Sequence, residues 1–85
     1  MTKGDLEAAR AHIQRALTEY PKDLRNLMLG AEIELKAGSL RTAEEHLANA
    51  LTIAPALPKV RYLLAQTFLR SGAPEKAEMI LEPLL

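Results

Sequence analysis

Apolar residues recur along this chain at helical spacing, in five segments separated by short polar turns. In the second segment Leu24, Leu27, Ala31 and Leu35 stand three or four residues apart, so they share one face of a helix. The third segment, residues 40–51, has the same spacing. The pattern therefore predicts an all-α protein. The five predicted helices run from Asp5 to Glu19, Asp23 to Ala37, Leu40 to Ile53, Pro58 to Arg70 and Pro74 to about Glu82.

Residues that start and stop helices lie between these segments. Asp23 and Ser39 are expected to cap the helices that follow them, and Pro58 and Pro74 suit a first helical position. Pro83 should end or bend the last helix, because proline lacks a backbone N–H. Glycine is expected where a helix stops and the chain turns in a left-handed conformation. Three glycines are assigned to such turns: Gly4, Gly38 and Gly72.

The chain repeats itself at a fixed interval, which is the spacing from Gly4 to Gly38 and from Gly38 to Gly72. Sliding the sequence along itself by this interval gives 16 identities in 51 aligned positions, against about five expected from an Ala- and Leu-rich composition. Small alanines recur on one helix face and would let two helices approach closely. The other recurring residues include Ala9, Ala43 and Ala77, then Leu17, Leu51 and Leu85, and Pro21 with Pro55.

This repeat resembles the tetratricopeptide repeat (TPR), a helix–turn–helix unit of about 34 residues. The second helix of that unit carries Gly, Ala, a large apolar residue, Ala and Pro. Here those positions hold Gly4, Ala9, Ile13, Ala16 and Pro21, then Gly38, Ala43, Leu47, Ala50 and Pro55. The first-helix positions hold Leu27, Gly30 and Ala31 in one repeat and Leu64, Ala65 and Phe68 in the next. Two residues depart from the pattern: Arg61 replaces the usual Trp, and Glu34 replaces an aromatic residue. The resemblance implies an α-α superhelix, a TPR-like solenoid of five antiparallel helices.

The register of the repeat divides the chain into three parts. Residues 1–22 would be the second helix of a partial repeat, 23–57 a full repeat, and 58–85 a final repeat that is cut short. Two and a half repeats are fewer than such arrays usually need, so we expect a segment of a longer array or a unit completed by self-association. A homodimer would use apolar faces on the terminal helices. These faces comprise Leu6, Ala9, Ile13 and Ala16 at one end and Ile80, Leu81, Leu84 and Leu85 at the other.

Composition narrows the function. Eleven basic residues balance eleven acidic ones. The chain therefore has no net positive charge that would attract nucleic acid. No apolar run approaches the roughly 20 residues of a membrane span. The chain has no cysteine, which suits the cytoplasm, although a periplasmic location stays open if the chain comes from a longer secreted protein.

Residues that could carry chemistry are few. His12 and His46 occupy the same position of neighbouring repeats, where they would be too far apart to share a zinc ion, so no metal or cofactor is predicted. Ser39 and Ser71 lie at turns and have no motif of a catalytic nucleophile. We therefore predict that these residues form no catalytic site and that the chain is not an enzyme.

The TPR resemblance implies that the first helix of each repeat lines a concave, partner-binding surface. Four of the positions implied are basic and one is acidic, with Met28 and Tyr62 offering apolar contact, which suits a peptide with apolar anchors and acidic flanks. Two other hypotheses stay open: a structural or oligomerisation element, and an accessory domain of an enzyme whose catalytic part lies elsewhere. The implied binding residues are Arg25, Met28, Glu32, Lys36, Lys59, Tyr62, Gln66 and Arg70.

Overall fold

A computed structural model describes residues 3–85, with side chains from residue 4 onward. The described chain folds into five α-helices and one short 3₁₀ helix, and it contains no strand. The first two residues of the predicted 1–22 segment lie outside the described part. The helices are α1 (Lys3–Glu19), α2 (Leu24–Ala37), α3 (Leu40–Ile53), α4 (Pro58–Arg70) and α5 (Pro74–Leu81), and the 3₁₀ helix is Glu82–Leu84.

Each helix packs against the next one along the chain, and α2 also packs against α4. Short turns join the helices, so neighbouring helices run in opposite directions. In the repeat register predicted from the sequence, α2 and α4 correspond to the first helices of successive repeats, and α1, α3 and α5 correspond to the second helices. The predicted all-α solenoid of five helices is confirmed.

Two equivalent glycines end the first helices in the same way. Gly38 and Gly72 both have a φ of 82°, the left-handed conformation that favours glycine. After α2 the Ser39 N–H donates to the Glu34 carbonyl at 2.9 Å, and after α4 the Ala73 N–H donates to the Phe68 carbonyl at 2.8 Å. These bonds satisfy carbonyl groups that the helix end leaves free. The two turns are thus copies of one structure, separated by a single repeat.

The helix starts follow the predictions in part. The Asp23 side chain accepts a hydrogen bond from the Asn26 N–H at 3.0 Å, as an N-cap residue does. Pro58 and Pro74 begin α4 and α5, and α5 gives way to a 3₁₀ helix at Pro83, as predicted. The prediction for Ser39 holds in position only, and the prediction for Gly4 was wrong.

Ser39 occupies the predicted N-cap position of α3, but its side chain makes no cap bond; its hydroxyl oxygen accepts from Arg10 Nη2 at 3.3 Å. Gly4 lies inside α1 rather than at a turn, since this helix begins at Lys3.

The core consists of two clusters between the helices. One contains Leu27, Ala50 and Val60, and the other contains Ala31, Leu47 and Leu64. Ala31, Ala43 and Ala50 have no exposed surface, which agrees with the prediction that small residues allow close helix contacts.

Ile13 departs from the expected terminal apolar face. It is 1% exposed, because packing against α2 already covers this side of α1.

Arg61 replaces the aromatic residue that the TPR pattern places in the first helix, and it ties α4 to its surroundings. Its Nε donates to the Pro55 carbonyl at 3.0 Å, in the turn before α4. Its Nη1 donates to the Ile80 carbonyl at 3.1 Å, in α5. A charged side chain thus connects the two helices of the last repeat through backbone oxygens.

Candidate protein-binding groove

A shallow groove of about 360 Å³ runs between α2 and α4, the two first helices. Its floor is apolar and its rim is charged or polar, a combination typical of peptide-binding surfaces. The lining residues are Leu29, Glu32, Ile33, Leu35, Lys36, Leu63, Gln66 and Arg70. We refer to this surface as the α2–α4 groove.

Four of the eight residues implied by the TPR resemblance line this groove: Glu32, Lys36, Gln66 and Arg70. The other four lie elsewhere on the same two helices. Arg25 and Lys59 are exposed near the helix starts, and Tyr62 is 59% exposed. Met28 is half-buried and packs against the Leu27–Ala50–Val60 cluster, so part of its side chain serves the core.

Sequence reasoning missed the apolar floor of the groove. Leu29 and Ile33 stand three residues before Glu32 and Lys36, and Leu63 stands three residues before Gln66. Residues at that spacing are neighbours on a helix surface. A search one turn away from each implied residue would therefore have found these three.

The charges along the two helices are only partly compensated. Lys59 Nζ lies 3.5 Å from Glu32 Oε1, which joins α4 to α2. Arg70 Nη1 donates to the Leu35 carbonyl at 2.8 Å, at the carboxyl end of α2 where cations are favourable. Arg25 and Lys36 have no ion-pair partner among residues 4–85. The surface that a partner would meet thus keeps a basic excess.

A second polar cluster lies away from the groove, between α1, α2 and α3. Glu34 is fully buried, and its Oε1 lies 3.1 Å from Arg10 Nη2. The arginine N–H does not point at this oxygen, so the contact is an ion pair rather than a well-aligned hydrogen bond. Arg10 Nη1 also lies 3.5 Å from Glu7. We call Arg10, Glu34 and His46 the polar cluster.

His46 belongs to this cluster through its position against α2. A Cβ atom added at Gly30 would lie 3.2 Å from His46 Cδ2, so the glycine makes room for the imidazole ring. Burial lowers the pKa of His46, while the carboxylates of Glu34 and Glu45 oppose that shift. His46 Nε2 has no hydrogen-bond partner among the described residues.

His12 and Ser71, also considered for metal binding or catalysis, lie outside the polar cluster. His12 is exposed on α1, and no group of three or more His, Cys, Asp and Glu side chains in the described chain could hold a metal ion. The Ser71 hydroxyl donates to the Phe68 carbonyl at the end of α4. Within residues 3–85, no helix is long and apolar enough to cross a membrane.

Pairs of helices that recur at a fixed interval, with the first helices side by side, define an α-solenoid of the kind that binds other polypeptides. The model of the tetratricopeptide repeat family matches residues 34–85, more than half of the chain, and the chain belongs to this family. Searches of curated proteins and of solved structures gave no significant match. Membership indicates a protein-interaction repeat module, a class that is typically non-catalytic.

Proposed function

We propose that this chain binds an extended segment of a partner protein in the α2–α4 groove. The observation that supports this function is the groove itself, in which exposed Leu29 and half-buried Leu63 lie between polar side chains above the buried Ile33. Buried apolar anchors supply most of the affinity of a protein interface, and the charged rim supplies orientation and selectivity.

The charges favour one kind of partner. Arg25 and Lys36 have no anionic neighbour within ion-pair distance in the described chain. Lys36 and Arg70 line the groove, and Arg25 lies outside it near the start of α2. Lys59 has a single carboxylate partner, Glu32, and both side chains are partly exposed. A segment with large apolar residues and acidic flanks would complement this surface. The chain could use the same groove as an accessory domain of an enzyme, in which case its partner would be the catalytic part of that enzyme.

Fluorescence anisotropy with two labelled peptides tests this proposal. One peptide alternates Leu with Asp and the other alternates Leu with Lys, so they have the same apolar residues and opposite charges. The acidic peptide should bind more tightly, and replacing Lys36 and Arg70, which both line the groove, together by Glu should weaken its binding at least about tenfold, or about 1.4 kcal/mol. Equal binding of both peptides, or no effect of the double replacement, would contradict the proposal.

Arg41→Glu and Lys22→Glu together provide the matched control. Both residues are exposed and neither lines the groove, so this variant has the same change in net charge. It should bind the acidic peptide within about twofold of the unmodified chain once the salt concentration exceeds about 0.1 M, since distant charges are then screened over about 10 Å. A loss equal to that of the groove variant would indicate a general charge effect.

A second candidate function is self-association through the last repeat. Leu69 is 59% exposed, Met79 is 69% exposed and Leu85 is 99% exposed, and apolar surface of this kind often marks an interaction site. Sedimentation equilibrium should then show a dimer whose dissociation constant rises when Leu69 and Met79 are both replaced by Gln. Tyr20→Gln, at an equally exposed aromatic residue beside α1, is the control and should leave it unchanged.

A further inference from the structure

The repeat period allows the two inter-repeat contacts to be compared residue by residue. In the first contact α1 packs on α2, and in the second α3 packs on α4. Helices α1, α3 and α5 have the same place in the repeat, so each is a potential substitute for the others. What distinguishes them is the set of side chains that meet the first helix.

The first contact is built around a buried charge. Glu34 has no exposed surface, and neither of its carboxylate oxygens has a hydrogen-bond partner in the described chain. Arg10 of α1 supplies the cation at 3.1 Å, and Ser39 and Glu7 hold its guanidinium in place at 3.3 and 3.5 Å. Removing one partner of such a pair leaves an uncompensated buried charge, which is strongly destabilising.

The second contact has no such charge pair. Phe68 of α4 stands where Glu34 does, and Ile80 of α5 stands where His46 of α3 does; both pack against the Ala31–Leu47–Leu64 cluster. The residue at the Arg10 position is also reversed in charge. It is Glu44 in α3 and Glu78 in α5.

We infer that the Arg10–Glu34 pair restricts α2 to α1 and excludes the other second helices, from the same chain or from a second copy. If α3 or α5 took the place of α1, Glu44 or Glu78 would face the buried carboxylate of Glu34 without a cation. Two carboxylates in one buried place repel each other and lose their solvation. If α1 moved to α4, Arg10 would face Phe68 instead.

The consequence is protection against exchange of helices between copies. Repeats with equivalent faces are prone to misassembly and domain swapping, because one helix can replace another. The last helix of a second copy, α5, carries the 69% exposed Met79 and is the most available substitute, and Glu78 is the residue that excludes it. The polar cluster thus fixes the order of the repeats.

The test removes the polar cluster from the full-length chain. The triple variant Arg10→Glu, Glu34→Phe, His46→Ile places Glu at the Arg10 position of all three second helices and the apolar residues of the next repeat at positions 34 and 46. Native mass spectrometry should show that this variant forms dimers as its concentration rises. In those dimers the α1 amides should exchange hydrogen at least about a hundredfold faster than in the monomer. A folded triple variant with the oligomeric state of the unmodified chain at every concentration would overturn the inference.

Single and double variants decide the question independently of the triple one. Arg10→Glu alone should accelerate hydrogen exchange in α1 about a hundredfold, and adding Glu34→Phe should restore most of the protection. Arg15→Glu, an exposed position on the same helix, is the matched control and should have little effect. Equal α1 protection in Arg10→Glu and Arg15→Glu would likewise overturn the inference. The hydrogen-exchange readout distinguishes exchange of α1 from simple stacking of the terminal faces, because stacking leaves α1 protected.

Discussion

Lys59 of α4 lies 3.5 Å from Glu32 of α2, so one ion pair connects the two first helices beside the proposed binding groove. Both side chains are partly exposed, with 60% and 38% of their surface accessible. Exposed pairs of this kind contribute at most about 1 kcal/mol to folding. Their larger effect is on the charge that a partner meets.

Replacing Glu32 by Gln should therefore improve binding of the acidic peptide while leaving the fold intact. The change releases Lys59 and removes the carboxylate from the groove, so we expect about a three- to tenfold tighter complex with a steeper dependence on salt. Anisotropy titrations at two salt concentrations measure this. Glu82→Gln, in the 3₁₀ helix and outside the groove, is the control. Weaker binding by the Glu32→Gln variant would mean that the glutamate contacts the partner directly.

The stability of the solenoid should depend on Ala43, which has no exposed surface. Ala43→Glu would bury an unpaired charge and should destabilise the chain by at least about 3 kcal/mol, a large part of the total for so small a domain. Urea denaturation at pH 7.5 followed by circular dichroism measures the loss. Exposed Glu45→Ala is the comparison and should change stability by less than about 0.5 kcal/mol. Similar midpoints for the two variants would contradict the repeat register.

Gly30 and His46 should be energetically coupled, because a Cβ at Gly30 would lie 3.2 Å from the imidazole. Gly30→Leu introduces the residue found at the equivalent position, Leu64, and should cost about 1–3 kcal/mol by overpacking. Adding His46→Ala provides space, so the double variant should lose at least about 1 kcal/mol less than the sum of the single variants. Additive losses in a double-mutant cycle would show that the two sites do not share this space.

The repeat period made most of the fold predictable, because the residues that start and stop each helix act on the backbone close to them. Gly38 and Gly72 end α2 and α4 with the same left-handed turn, and Pro58 and Pro74 begin α4 and α5. Each of these signals acts within a few residues of where it stands. The prediction that Ile13 faces outward failed for a different reason. Its exposure depends on how far α2 covers α1, which is a tertiary property.

The polar cluster illustrates what the sequence did not reveal. Glu34 was visible as a departure from the aromatic position of the family, but its partner Arg10 is distant along the chain and belongs to a different helix. No periodic pattern links the two, since the equivalent residues of the next repeat are Phe68 and Glu44. Only the packed structure shows that the departure is compensated by a cation.

The pH dependence of stability should report on His46. Its pKa is lowered in the folded chain, chiefly by burial, from the ordinary value of 6.5. The unfolded chain then binds more protons than the folded one below that value, so stability should fall as the pH decreases through 6.5 and level off below the folded pKa. The groups that surround the ring are Glu34 on α2, Glu45 on its own helix, and Arg10 on α1 through its pair with Glu34.

Urea denaturation at several pH values between about 7.5 and 5.5 tests this dependence. His46→Gln should flatten the curve, whereas His12→Gln, at the equivalent but exposed position of α1, should leave it unchanged. The same slope in His46→Gln and in the unmodified chain would assign the pH dependence to other groups.

The most direct test of the central claim is to locate the bound peptide by nuclear magnetic resonance. The ¹⁵N-labelled chain is titrated with the Leu–Asp peptide, and backbone amide shifts are followed residue by residue. Binding in the α2–α4 groove predicts the largest changes at Ile33, Lys36, Leu63, Gln66 and Arg70, with small changes on α3 and at the chain ends. Largest changes on α5, or on the outer faces of α1 and α3, would contradict the account.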